Sequence, residues 1–146
     1  MAYLVRFAST PEDRDAAFAL RRAVFEEEQN IPRPLDRDPH DSSADHVVAF
    51  DDDGRCVGTA RIVRLDSRTC QVGRQATAPS HRKHGVGAAV LECLERMARL
   101  RGIAELTVHA QLPAEPFYRR HGFVREGEVF RDQGVPHVLM RKRLAG

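Results

Sequence analysis

The sequence contains few cysteines, almost no lysine and no long apolar run. Only three of its 146 residues are cysteines, namely Cys56, Cys70 and Cys93. They are widely spaced, odd in number and form no CxxC pair, a pattern that argues against a disulfide framework or a zinc site and favours a reduced protein. No apolar run approaches the roughly 18 to 20 residues that span a bilayer, and residues 1–6 lack the features of a signal peptide. We therefore expect a cytoplasmic protein that does not enter a membrane.

Charge is nearly balanced over the whole chain but not along it. Lysine plus arginine total 23 and aspartate plus glutamate total 21, for a formal net charge of +2, which argues against a strongly cationic nucleic-acid binder. Residues 1–66 carry 9 basic and 14 acidic side chains, whereas residues 67–146 carry 14 and 7. The two halves therefore suit different partners. Nearly all basic residues are arginine, which reflects either genome base composition or contacts with phosphate and carboxylate groups.

The order of apolar patterns predicts one α/β domain over residues 1–146. Alternating apolar residues indicate strands, and apolar residues at helical spacing indicate helices. The predicted elements are a strand at 3–7, a helix from Thr10 to about 28, a hairpin at 46–50 and 56–65, a strand at 71–78, a helix from Gly87 to about 101, a strand at 103–110, a short helix at 113–121 and strands at 123–129 and 135–141. Because adjacent hairpins are antiparallel, we expect a mixed, mostly antiparallel sheet flanked by helices. Residues 30–45 form a proline-broken loop of a length that is often functional.

A basic, glycine-containing segment joins the strand at 71–78 to the long helix. It reads Arg-Lys-His-Gly-Val-Gly-Ala over residues 82–88. Unpaired amides at a helix N-terminus attract anions, and glycines let the backbone approach a phosphate closely. The segment therefore predicts a phosphate or pyrophosphate site.

Of three known phosphate-binding patterns, this segment satisfies one. A P-loop requires Lys-Ser or Lys-Thr after its last glycine, where this chain has Ala88-Ala89. A dinucleotide-binding fingerprint requires a small residue where this chain has Val90. It also requires glycines directly after the strand, whereas a polar segment intervenes in this chain. The pattern Gln/Arg-x-x-Gly-x-Gly/Ala is matched at Arg82, Gly85 and Gly87. Six residues are a weak match alone, and the strand before them and the helix after them strengthen it.

A second motif completes a resemblance to a known family. Residues 114–123 read Ala-Glu-Pro-Phe-Tyr-Arg-Arg-His-Gly-Phe, a predicted short helix with a Phe-Tyr pair that ends at Gly122. Together with residues 82–87, it resembles the GNAT superfamily of acetyl-coenzyme A-dependent N-acetyltransferases over nearly the whole chain. The segments at 22–29 (Arg-Ala-Val-Phe-Glu-Glu-Glu-Gln), 108–111 and 134–140 look like signatures of its ElaA-like and YjcF-like branch.

The resemblance implies a GNAT-like fold with a site for acetyl-coenzyme A as cosubstrate. The strands at about 71–78 and 104–109 would splay apart, and the first would pair with the pantetheine arm through its backbone. That strand departs from the family, which usually has bulky aliphatic residues there, because Gln75 and Thr77 make one face polar. The implied cofactor-binding residues are Gln75, Ala76, Thr77, Arg82, Lys83, His84, Gly85, Val86, Gly87, Ala88 and Phe117.

The resemblance also implies acetyl transfer to a primary amine of a small molecule, by direct attack in a ternary complex. A base or water relay should remove the amine proton, and the departing thiolate benefits from a proton donor. Tyr118 matches the family's tyrosine near the thioester sulfur, His137 lies in a branch signature, and His109 shares one face of its strand end with Gln111 because they are two residues apart. The expected site residues are Tyr118, His137 and His109 for catalysis and Glu28, Gln29 and Gln111 for the acceptor. Acidic residues at 26–28 and 36–45 either attract a cationic amine or are ordinary solvated side chains, which is the commoner case.

Other functions stay open at this point. A non-catalytic acyl-coenzyme A binding or sensing module would share the phosphate site without a working acid or base. The segment at 22–25 also resembles part of acyl-homoserine lactone synthases, which are usually longer chains. The cluster Asp36, Asp38, His40 and Asp41 lacks calcium-loop spacing, so we expect no metal. Edge strands in such a domain often pair between subunits, which leaves a homodimer open.

Overall fold

The computed structural model describes residues 2–32 and 37–144, in which strands and helices follow one another in the predicted order. The elements are β1 (Leu4–Phe7), α1 (Pro11–Arg21), β2 (Asp45–Phe50), β3 (Cys56–Arg64), β4 (Thr69–Thr77), α2 (Val86–Leu100), β5 (Glu105–Gln111), α3 (Glu115–Arg120), β6 (Val124–Asp132) and β7 (Val135–Arg143). A π-helical turn (Arg22–Glu28) extends α1, and short 3-10 turns lie at Pro39–Ser42, Pro79–His81 and Leu112–Ala114.

The strands form one mixed sheet in the order β1-β2-β3-β4-β5-β7-β6. The pair β4–β5 is parallel, and the other neighbouring pairs are antiparallel. Parallel neighbours require a long crossover connection, which α2 supplies between β4 and β5. The predicted α/β class and the mixed, mostly antiparallel sheet are confirmed.

The two parallel strands separate halfway along their length. They pair only from Thr69 to Val72 of β4, although β4 continues for a further five residues. The register of β4 against β3 shifts between Gly73 and Ala76, and within this bulge Arg74 has a φ of 49°. A bulge bends its strand and increases the local twist. The expected splay between β4 and β5 is therefore confirmed.

Helices cover both faces of the sheet because side chains alternate along each strand. On β2, Val47 and Ala49 lie in the main core with Val90 of α2. Val48 points to the other face and packs with Ala17 of α1. The two helices thereby hold the splayed end of β4 between them.

The start of α1 follows the predicted capping pattern. The Thr10 Oγ1 accepts a hydrogen bond from the amide of Asp13 at 3.1 Å, and Pro11 occupies the first turn. Both features satisfy or remove amides that have no partner within the helix. The helical path reaches Glu28 as expected, but its last seven residues are π-helical.

The three cysteines form no disulfide. All three cysteines are free thiols, with Cys70 and Cys93 buried and Cys56 partly buried. Burial raises the pKa of each thiol, that of Cys56 to about 11. No helix within residues 2–32 and 37–144 is long and apolar enough to cross a membrane.

Candidate active site

A cavity of about 550 Å³ opens where β4 and β5 separate. Gln75 and Thr77 of β4 line one side of it, and His109 and Gln111 of β5 line another. The predicted polar face of β4 and the predicted shared face of His109 and Gln111 therefore meet in one space. Beyond Val72, the β5-facing edge of β4 has no strand partner in the described chain. An extended ligand that carries amide groups can pair with such an edge.

Tyr118 of α3 lines the cavity, and a chain of two hydrogen bonds links it to β4 and α2. Its hydroxyl donates to Oε1 of Gln75 at 2.7 Å, and Nε2 of Gln75 donates to the carbonyl of Gly87 at 3.0 Å. The ring packs edge-on against Phe117 and Phe123. Burial raises the pKa of the Tyr118 phenol. The phenol therefore holds its proton at neutral pH, as a hydrogen-bond donor or general acid must.

The first turn of α2 presents backbone amides without a side-chain cap. Gly85 precedes the helix with a φ of 86°, in the left-handed region that favours glycine. A Cβ at Gly85 would meet no atom within 4 Å, so the backbone faces open space. Lys83 and His84 beside it are exposed. Uncapped amides together with the helix dipole attract anions, which agrees with the predicted phosphate site.

The start of α2 rests directly on β3. A Cβ at Gly58 would lie 2.4 Å from Cγ1 of Val86, closer than two such atoms can approach. Only glycine at this position lets the first residue of α2 pack so close to the sheet. Sequence reasoning missed Gly58, and its signal was a glycine inside the predicted strand at 56–65, which often marks a close approach of backbone.

Two pairs of side chains link the end of the π-helical turn to other parts of the site. Arg82 donates to both carboxylate oxygens of Glu28 at 2.7 and 2.8 Å, and its Nε donates to the carbonyl of Thr77 at 3.1 Å. The Nε2 of Gln111 donates to Oε1 of Gln29 at 3.1 Å. The structure thus brings the expected acceptor residues together and joins one of them to the expected phosphate-binding arginine.

Arginine–aspartate pairs hold the loop before β2 against the sheet. Asp41 accepts hydrogen bonds from Arg21 at 2.8 and 3.1 Å and from Arg61 at 2.9 Å. Asp38 accepts from Arg61 at 2.7 and 2.8 Å and from Arg74 at 3.0 Å. The hydrogen bonds from Arg61 are the main reason that the pKa of Asp38 falls to about 2. Burial raises the pKa of Asp41, but Arg21 and Arg61 outweigh it, and that pKa lies below its usual value.

These ion pairs change the expected charge of the acceptor region. Glu28, Asp38 and Asp41 are each bound by at least one guanidinium group. A paired carboxylate contributes less negative field to an incoming amine than the free carboxylates that the sequence led us to expect. Asp36, the remaining aspartate of the expected cluster, lies outside the described residues. The pairing had no local signal, since its partners lie far apart in the chain.

His109 and His137 line the cavity, and Phe130 packs against both rings. Phe130 of β6 packs edge-on against His109 at 5.2 Å between ring centres and stacks on His137 at 5.9 Å. Partial burial and the neighbouring His137 lower the pKa of His109, while Asp132 raises it. The Nδ1 of His137 lies 2.8 Å from the carbonyl of Val135. Because a carbonyl only accepts, Nδ1 carries the proton, and Nε2 of neutral His137 holds the lone pair that a base needs.

Comparisons with known proteins agree with this geometry. Residues 9–144 match the acetyltransferase (GNAT) domain. The chain is 34% identical over 136 residues to YjcF of Bacillus subtilis, an uncharacterised N-acetyltransferase, and the match covers 92% of this chain and 96% of that protein. The structure is similar to a Lactobacillus plantarum protein named as an N-acetyltransferase (31% identity, TM-score 0.89, 99% and 100% of the chains) and to Escherichia coli ElaA (26%, 0.84, 97% and 99%). The chain therefore belongs to the GNAT family of acetyltransferases, whose cosubstrate is acetyl-coenzyme A.

Proposed function

We propose that the chain transfers an acetyl group from acetyl-coenzyme A to a primary amine of a small molecule, by direct attack while both substrates are bound. The observation that carries this proposal is the cavity itself, because Tyr118, Arg82 from the segment before α2 and the two histidines line it from separate parts of the chain. Its volume of about 550 Å³ suits a small molecule better than a folded protein.

The residues that would hold the acetyl donor fit its chemistry. The uncapped amides of Val86, Gly87 and Ala88 suit a pyrophosphate group. Arg82 would add a guanidinium fork, and the exposed side chains of Lys83 and His84 add further donors. The unpaired edge of β4 at residues 75–77 suits the amides of the pantetheine arm. The donor supplies a thioester, an acyl group that an amine can attack.

Three side chains would divide the proton transfers. His137 would accept the amine proton at Nε2, and His109 lies on the same wall with a lowered pKa that keeps it neutral at pH 7. Tyr118 holds a proton at Oη for the sulfur that departs. These roles match the physical requirements of a base and an acid that line one cavity.

The cysteines support direct attack over a covalent acyl-enzyme. Cys56, Cys70 and Cys93 all have a thiol pKa raised by burial, and none of them lines the cavity. A thiol nucleophile needs the opposite conditions, namely a lowered pKa and access to the substrate. The free thiols also support a cytoplasmic location as part of this proposal.

The first experiment tests binding of the donor. Acetyl-coenzyme A should raise the melting temperature of the protein, and Gly85→Glu should abolish that rise because a carboxylate at the start of α2 repels phosphates. Gly54→Glu is the matched control, since Gly54 has a similar φ of 79° and equally open space but lies in the β2–β3 turn. An absence of any shift with millimolar donor would contradict the proposal.

The second experiment separates an enzyme from a binding module. Release of free thiol from acetyl-coenzyme A should depend on an amine chosen from a broad panel. Tyr118→Phe and His137→Ala should slow that release while the protein still binds coenzyme A. Binding without thiol release across the whole panel would favour a non-catalytic acyl-coenzyme A sensor.

A further inference from the structure

The side chain of Gln75 uses both ends of its amide inside the protein. Its Nε2 donates to the carbonyl of Gly87 in the first turn of α2, and its Oε1 accepts from the hydroxyl of Tyr118. These contacts link β4, α2 and α3 at one point. The link lies immediately after the bulge at Arg74, whose left-handed backbone shifts the register of β4.

The donor and acceptor directions in this link are forced by the partner groups. A backbone carbonyl can only accept, so the NH₂ end of the Gln75 amide must face Gly87. The oxygen of the same amide then faces Tyr118 and can only accept, so the phenol must donate its single proton toward β4. The carbonyl of Gly87 therefore determines the direction of the Tyr118 hydroxyl, which is distant from it in sequence.

This arrangement also explains why a polar residue occupies a strand position in the site. The Tyr118 side chain is only 6% exposed, and a buried hydroxyl without a partner would be costly. An aliphatic residue at position 75 would leave the phenol without its acceptor. Glutamate would keep that acceptor, but it would place a carboxylate beside the Gly87 carbonyl and lose the donor.

We propose that Gln75 is a positioning residue for the reaction, which acts through Tyr118. It fixes the Tyr118 hydroxyl at the edge of β4 where the acetyl donor is expected, and it couples that hydroxyl to the first turn of α2. During transfer the O–H turns from Oε1 of Gln75 toward the departing thiolate, which takes the proton. The inference rests on the proposed function, and it concerns a side chain that was expected only to make one face of β4 polar.

The first test observes the hydrogen bond without any reaction. The sequence has two tyrosines and no tryptophan, so tyrosine labelled with ¹³C at Cζ gives a two-signal spectrum, and Tyr3→Phe assigns the signal of Tyr118. Gln75→Leu should shift that signal and speed the exchange of the phenolic proton with water. Gln71→Leu is the matched control, because Gln71 lies on the same strand and lines the same cavity but has no such bond.

The second test asks whether the bond matters for turnover. Gln75→Leu should lower kcat for thiol release by about 10- to 100-fold and change the KM for acetyl-coenzyme A little. In a Tyr118→Phe background the same substitution should lower kcat no further, because two residues that act as a unit are not additive. Gln75→Glu should also lower kcat, because its carboxylate cannot donate a hydrogen bond to the carbonyl of Gly87. Should Gln75→Leu unfold the protein, Gln75→Met, which keeps the length of the side chain but offers the phenol no oxygen acceptor, carries both tests.

The outcomes separate this inference from the proposed function. Binding of coenzyme A without thiol release by the unsubstituted protein would overturn the proposed function, and with it the role of Gln75 in turnover. An unchanged Tyr118 signal in Gln75→Leu would overturn the positioning role even in an active enzyme. Full additivity of the kcat losses would overturn it as well, because Gln75 would then act independently of Tyr118.

Discussion

Replacing Asp41 by asparagine should destabilise the protein strongly, because the arginine that it neutralises is almost completely buried. The side chain of Arg21 is 1% exposed and that of Asp41 is 9% exposed. Asp41 accepts hydrogen bonds from Arg21, Arg61 and the amide of Asp38. Asparagine keeps the shape of this side chain, but it removes the negative charge and turns one acceptor into a donor that faces guanidinium groups.

The size of the effect follows from the burial. Removing one partner of a buried ion pair costs about 3–5 kcal/mol, and here the buried guanidinium of Arg21 loses the carboxylate that faces it. A domain of 146 residues unfolds with an entropy of about 0.3 kcal/mol/K near its midpoint. The expected fall in melting temperature is therefore about 10–16 °C. A typical domain has only about 5–15 kcal/mol of stability in total, so the loss is a large part of it.

The measurement is urea unfolding followed by circular dichroism, with calorimetry for the melting temperature. Asp52→Asn is the control, because that aspartate is exposed in the β2–β3 turn and its replacement should change stability by no more than about 0.5 kcal/mol. Replacing Arg21 by methionine and Asp41 by leucine together should recover most of the loss. A loss below about 1 kcal/mol for Asp41→Asn would refute the reasoning, since the pair would then contribute no more than a surface salt bridge.

Three further predictions follow from other contacts. Gly58→Ala should lower the free energy of unfolding by about 1–3 kcal/mol and weaken coenzyme A binding in calorimetric titration, because its Cβ would displace Val86. Gly73→Ala should do neither, because the nearest neighbour of its Cβ would lie at 3.9 Å. Glu28→Gln should tighten coenzyme A binding without changing the melting temperature, because Arg82 loses a competing carboxylate; weaker binding would instead assign Glu28 a part in holding the donor. Acidification from about pH 4 to pH 2 should remove the stabilisation that Asp38 provides, because its pKa falls from 3.8 to about 2 on folding and protons then bind the unfolded chain preferentially. Acid titration of the unfolding free energy should show a smaller drop over that range in Asp38→Asn, and an unchanged drop would show that other groups cause it.

The elements of the fold were predictable because their signals are local. Thr10 and Pro11 mark the start of α1 within four residues of sequence, and the cap is present in the structure. The features typical of an anion site before α2 are likewise local, since the uncapped amides and the left-handed glycine belong to consecutive residues. The two-residue spacing of His109 and Gln111 sufficed to place both side chains on one wall.

The errors and omissions all concern contacts between distant residues. The acidic residues at 28, 38 and 41 appeared to be solvent-facing or substrate-facing, but arginines at positions 21, 61, 74 and 82 neutralise them. The bulge in β4 and the π-helical turn after α1 leave no pattern in composition or periodicity. Phe130 was assigned no role, although it packs against both histidines that line the cavity.

The sequence by itself determined which segments form strands and helices, and it marked a candidate anion site and candidate proton carriers. These properties depend on side-chain chemistry and on spacings of a few residues, which backbone geometry translates directly into structure. Only the tertiary structure decided which charges neutralise each other and which way the Tyr118 proton points. Those outcomes depend on pairs such as Gln75 with Tyr118 and Arg21 with Asp41, which burial forces together because an unpaired polar group in the interior is costly.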